Sequence, residues 1–286
     1  GTSSKSKEVL DEEIDFMGAS INVGASAISG FSLSKYKEDV LGILTDILYN
    51  PAFPMEELDR QKKQNIAALA QSKDDPSSIS RTVSGVLNYG INHTYGEIIS
   101  EETIEKVSMD DLKNHYANFF KPNTAYLVIV GDIKKKEAQK LARKYFEKWE
   151  KGEVQKESFV SPSQPTKSVV AIIDRPSSVQ SVINITYPVD NKPGSEDATK
   201  ISVMNQILGG AGLATRLNAN LREDKGYTYG ANSSLGSSRY SGTFNAGASV
   251  RNEVTDSTII SINNEILGDL IENGPSKDEL ELIKQF

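Results

Sequence analysis

The stretch "NQILGGAGLATRLNANLREDKGYTYG", residues 205–230, decides the fold. An apolar helix ends at Leu208, where Gly209 and Gly210 stop it. A second helix runs to Leu221, with Leu217 one turn earlier on the same side. Charged residues follow, then Gly226 breaks the helix, and Tyr227, Thr228 and Tyr229 favour a strand. Such a helix-to-strand corner can aim the Arg222 guanidinium and the Tyr229 phenol into one space. A plainer reading is a surface helix end beside a half-buried tyrosine.

Working outward from this corner, "SVVAIID" (168–174) and "QSVINITYP" (180–188) read as strands, and 196–208 as a helix. The strands after Gly226 lead into a helix over 256–271, with Ile259, Ile262, Ile266 and Leu270 in register. Upstream, residues 151–167, "KGEVQKESFVSPSQPTK", have no period and two prolines, which marks a linker. Before it, 5–16 reads as a helix stopped by Gly18, and "ASINVGASAISGFSLSK" as two antiparallel strands. Helices then follow over 38–49 and 56–73, and helical segments run to about residue 120. "TAYLVIV" (124–130) reads as a buried strand, and 134–149 as an amphipathic helix with Ala138, Leu141, Ala142, Tyr145, Phe146 and Trp149 on one face.

The two halves resemble each other. "GASINVGASAISGFSLSKYKEDV" and "YGANSSLGSSRYSGTFNAGASVRNEV" are both hairpins of small residues that feed a helix. "LTDILYNPAFPMEELDRQKKQ" matches "NNEILGDLIENGPSKDELELIKQ", and Ser276 with Glu279 forms a capping box. The expectation is an α+β fold of two tandem similar domains, each an antiparallel sheet with helices packed on one face. The first covers 1–150, the linker 151–167, and the second 168–286. Gly1 to Lys5 leads straight into a helical pattern and Phe286 ends inside one. The chain therefore reads as part of a longer protein.

The totals narrow the function. The 286 residues carry a net charge of −7, which disfavours nucleic acid as a primary partner. No apolar run approaches the roughly 18 residues of a membrane span. There is no cysteine, hence no thiolate chemistry. The two histidines, His93 and His115, have no ligand-like spacing. His93 lies in a Gly-bounded loop, and His115 sits at the edge of the Leu112, Tyr116, Phe119 stripe in a helix capped by Ser108. No self-contained catalytic centre of a familiar kind is visible.

Several separated motifs, in order, resemble the pitrilysin/insulysin and mitochondrial-processing-peptidase family of inverted zinc peptidases. In the second half these are the ILGG turn, Thr215-Arg216-Leu217, then "LRE" and the Tyr227–Tyr229 segment. In the first half they are "LDEEIDFMGASINV", "ILTDILYNPAFPMEELDRQKKQ", "DDP", "NHTYG" and "FFKPNTAYLVIVGDI". The resemblance implies that Arg222 and Tyr229 contact substrate backbone. It also implies an H-x-x-E-H helix upstream of Gly1 and a third zinc ligand, a glutamate, on the helix before "DDP". Counting back from Pro76 puts that ligand at Ala68, in "QNIAALAQSKDDP", and a methyl cannot bind zinc. Glu56 and Glu57 are a helix start.

The expected function is therefore a non-catalytic, peptide-binding half or subunit of a protease assembly. The chain would hold no cofactor itself, zinc being the cofactor of active members. It would take a peptide or small-protein substrate and pair as a homo- or hetero-oligomer with a family member. Two alternatives stand beside it: a fragment of an active zinc endopeptidase whose H-x-x-E-H precedes residue 1, and a scaffold subunit that binds no peptide.

Overall fold

The structure, a computed structural model, describes residues 1–154, 162, 166–210, 212–238 and 241–284. Most of the segment expected to be a linker lies outside these residues, as does the side chain of Ile266. By internal contacts the chain divides into Gly1–Ala67 with Ser100–Glu157, and Ala68–Ile99 with Ser158–Phe286.

In the first unit, α1 (Lys7–Phe16) starts where the Ser6 hydroxyl accepts the Val9 amide hydrogen. The hairpin β1 (Ser20–Val23) and β2 (Ile28–Phe31) pairs Ile21 with Gly30. α2 (Lys37–Tyr49) packs beneath it, and Leu10, Met17, Val40 and Ile43 form the small core. A Cβ on Gly30 would lie 2.8 Å from Val40 Cγ1, so glycine allows this close approach. α3 (Met55–Ser72) crosses the division between the units, while α5 (Glu101–Lys106) and α6 (Met109–Phe119) belong to the first. Both bonds of the Ser108–Asp111 capping box are made at the start of α6. α7 (Lys135–Phe146) lies against α2: Tyr49 donates to the Tyr145 carbonyl at 2.9 Å, and Tyr145 donates to the Glu38 carbonyl at 3.0 Å.

The second unit is built on a three-stranded antiparallel sheet in the order β3 (Gln180–Val189), β5 (Gly242–Arg251), β4 (Ala231–Gly236). Period-2 alternation puts Phe244, Ala246, Ala248 and Val250 on one face of β5. All four are buried, in one core with Leu208 of α8 (Ala198–Leu208), Leu217, Leu221 and Ile262 of α10 (Thr255–Asn263). The other face of β3 meets α4 (Pro76–Tyr89), where Asn88 donates to Thr186 at 2.8 Å and Asn184 to Ser84 at 2.9 Å. Helices thus lie against both faces of this sheet, where the sequence suggested one. A helical run continues from α10 through the π-helical Asn264–Asp269 into α11 (Leu270–Asn273), and α12 (Lys277–Ile283) follows a Gly274 turn at φ +69°.

Two expected strands do not form. Residues 125–130 and 168–174 pair with no strand among the described residues. Tyr126 is 97% exposed and Ile172 is 87% exposed. Apolar composition supplies the faces of a strand, but its hydrogen bonds need a second backbone alongside. The fold class is α+β, with small antiparallel sheets.

Candidate functional site

The Arg222–Tyr229 corner stands on a rigid base. α9 (Arg216–Asn218) opens with Thr215 as its cap and continues as the π-helical turn Ala219–Asp224. Leu217 and Leu221 point into the core and are fully buried. Gly226, at φ +59°, turns the chain, and the Tyr227 amide reaches back to the Leu221 carbonyl at 2.8 Å. From there the side chains diverge. Tyr227 packs on the core, and the Thr228 hydroxyl holds the segment against β5 through the Ser249 carbonyl at 2.8 Å. Tyr229 is 93% exposed.

Three residues that the sequence reading did not single out for this role fix the corner from behind. Arg216 is clamped by Glu279, with Nε–Oε1 at 2.6 Å and Nη2–Oε2 at 2.9 Å, and also by Asp269 and the Gly274 carbonyl. The Arg216 guanidinium, together with the Ser276 amide and hydroxyl, holds the Glu279 carboxyl down at about 2. Asn218 accepts the Ala231 amide at 2.9 Å and donates to the Gly212 carbonyl at 2.9 Å, tying the helix to the start of β4. Lys225 donates to Asn220 and to Ser261 of α10.

Arg222 is half-buried, and its guanidinium lies 3.4 Å from the neighbouring Glu223 carboxylate. No hydrogen bond joins Arg222 to Tyr229 among the described residues, so each keeps polar capacity for a third group.

His115 is exposed, its ring 4.8 Å from that of Phe119. His93 stacks on Tyr89 at 5.2 Å and accepts the Tyr95 amide on Nδ1 at 3.0 Å. This Tyr89–His93–Tyr95 cluster, missed in the sequence, stands beside a cavity of about 310 Å³ lined by Tyr89, Tyr95 and the turn of the second hairpin. The compact "GINHTYG" loop needs Gly96, whose Cβ would meet the Gly90 carbonyl oxygen at 2.2 Å.

The residues present do not fit a zinc site. Ala68 is an exposed methyl on α3, flanked by half-buried Ile66 and Leu69. Glu57 is engaged by Arg60 in the first turn of the same helix, with Nε–Oε2 at 3.0 Å. Among the described residues no group of three or more His, Cys, Asp or Glu side chains could hold a metal. No helix among them is long and apolar enough to cross a membrane.

The chain is 25% identical over 255 residues to the "Non-peptidase homolog YmxG" of Helicobacter pylori, covering 89% of this chain and 58% of that protein. It is 24% identical over 235 residues to the "Uncharacterized zinc protease YmxG" of Bacillus subtilis, covering 80% of this chain and 56% of that one. The chain therefore spans less than three fifths of the length of these relatives. Its fold matches the crystal structure of a peptidase M16 inactive domain from Pseudomonas fluorescens with a TM-score of 0.89, at 24% identity, over all of this chain and 70% of the other. Residues 106–286, more than half of the chain, match the family described as the peptidase M16 inactive domain. The chain belongs to the peptidase M16 family.

Proposed function

We propose that this chain is the substrate-holding half of an M16 protease assembly, in which a separate domain or subunit of the family supplies the metal chemistry. The observation that carries this reading is the corner itself: an exposed phenol and a half-exposed guanidinium mounted on the buried Leu217–Leu221 turn. An exposed tyrosine usually needs no such base. Arg222 can donate two parallel hydrogen bonds to a peptide carbonyl or carboxylate, and the Tyr229 hydroxyl can donate a third. Low rotational freedom at the base keeps the entropic cost of holding an extended peptide small.

The reading includes two tandem similar domains, 1–150 and 168–286, joined by 151–167. Supporting it, a hairpin, a short 3₁₀ turn and a helix follow one another in both halves: Ser34–Tyr36 leads into α2, and Asn252–Val254 into α10. Pairing with a family member, as homo- or hetero-oligomer, would supply the chemistry that Ala68 forgoes. The substrate class is a peptide or small protein.

The test is peptide turnover by the chain reconstituted with a metal-bearing family partner, together with peptide affinity. Arg222→Ala and Tyr229→Phe should each weaken binding or turnover by about ten- to a hundredfold, the value of one charge-assisted hydrogen bond. Melting temperatures should stay unchanged. Unaltered binding and turnover in both variants would leave a scaffold role instead.

A further inference from the structure

Two wide helical turns lie side by side in the second unit. The first is Ala219–Asp224, which carries Arg222, and the second is Asn264–Asp269, between α10 and α11. Turns of this π form are rare, and where they occur they often mark functional positions. Three side-chain links join the two. Arg216, just before the first turn, reaches Asp269 at the end of the second. Asn220 donates to Glu265 at 3.3 Å, and Lys225 donates to Ser261, just before the second turn, at 2.6 Å.

Lys225 also closes the first turn on itself. Its amide reaches the Asn220 carbonyl, five residues back, at 3.1 Å, and its ammonium donates to the Asn220 side-chain oxygen at 2.7 Å. The Asn220 side chain thus accepts from Lys225 on its oxygen and donates to Glu265 from its nitrogen, which fixes the orientation of the amide. Arg222 lies inside this staple, between Asn220 and Lys225, and its side chain takes no part in it. Leu221, fully buried, anchors the same turn on its core side. The staple therefore sets where the Arg222 side chain leaves the backbone. Position matters at such a site, because a shift of about 1 Å in a holding group can cost as much as a hundredfold.

We propose that Lys225, Asn220 and Glu265 are positioning residues for Arg222: they hold the π turn in the form that presents its guanidinium to a peptide, without touching the peptide themselves. This inference rests on the reading of Arg222 as a peptide-holding residue. It brings the turn between α10 and α11, which carries no motif residue of the corner, into the substrate-holding apparatus.

The test is a double-mutant cycle on the assembly reconstituted with a metal-bearing partner, read as kcat/KM for a peptide that carries a fluorophore and a quencher at its two ends. Lys225→Met should lower kcat/KM by about tenfold in the wild-type background, and by less than about twofold when Arg222→Ala is already present. Its melting temperature should hold, since contacts of an exposed lysine add little to stability. Asn220→Asp should also lower kcat/KM, because two carboxylates then face each other. Adding Glu265→Gln should restore it, because the glutamine amide can donate where the carboxylate accepted. Equal loss from Lys225→Met in both backgrounds, or no rescue by Glu265→Gln, would overturn the inference. No loss from Lys225→Met beside a clear loss from Arg222→Ala would overturn it and leave Arg222 as a peptide-holding residue. No loss from Arg222→Ala would overturn both.

Discussion

The two hairpins make a direct comparison. β1–β2 and β4–β5 come from similar small-residue sequences and each leads through a 3₁₀ turn into a helix. Their burial differs widely. In β1–β2 no residue is buried, and Val23 and Phe31 are 58% and 75% exposed. In β5 every second residue from Gly242 to Val250 is buried. The difference lies in the neighbours. β5 is a central strand, with β3 on one side and β4 on the other and helices over its faces, whereas the first hairpin is a two-stranded ribbon on one helix pair. A strand's alternation decides which residues could be buried, and the elements alongside decide whether they are. Two-stranded ribbons are marginal by themselves, so the first hairpin depends on α2.

Five measurements would break or sharpen this comparison. The largest effect belongs to Phe244→Ala, at the centre of the second core. It should destabilise that unit by about 3–5 kcal/mol, through lost burial and the cavity left behind. Hydrogen exchange of the β5 amides reads it locally, and a loss below about 1 kcal/mol would show that β5 is not the core strand. Next is Arg216→Ala, which strips Glu279 of its bidentate partner and should cost about 2–3 kcal/mol.

The same pair predicts a pH dependence. The folded Glu279 carboxyl sits at about 2, below the ordinary 4.5. Its contribution is therefore whole above about pH 4.5 and is lost as pH falls toward 2. Melting temperatures of the wild type and Glu279→Gln should diverge above that window and converge below it. Parallel curves throughout would remove Glu279 from the account.

A smaller effect is expected for Ser276→Ala, which opens the capping box of α12 and should cost about 1 kcal/mol, read as increased fraying of that helix by exchange. The smallest belongs to the first hairpin. Phe31→Ala, at an exposed position, should change stability by less than about 0.5 kcal/mol. The single tryptophan, Trp149, lies in the same unit and donates to the Phe120 carbonyl at 3.2 Å, so its fluorescence reports this unit alone. A large loss there would mean that Phe31 is covered by something else in solution.

What the sequence determined by itself was local. The α7 face of Ala138, Leu141, Ala142, Tyr145 and Phe146 is turned away from solvent as the 3.6-residue period requires, and Trp149, just beyond the helix end, is half-buried as well. The Ser108 and Ser276 caps and the Gly226 turn fall where their side chains and φ angles demand. In each case the partner lies within a few residues along the chain, so the information is contained in the segment itself. The tertiary structure decided the rest. "QSVINITYP" became part of a ten-residue strand because β5 pairs with it, while the equally apolar 125–130 and 168–174 have no strand partner among the described residues, because a strand's hydrogen bonds are made to distant backbone. Tyr227 and Tyr229, two positions apart in one motif, were separated into core and surface by the Leu221 carbonyl and the Thr228–Ser249 bond. The clamp of Arg216 on Glu279, 63 residues away, could form only once α12 had come to lie beside α9.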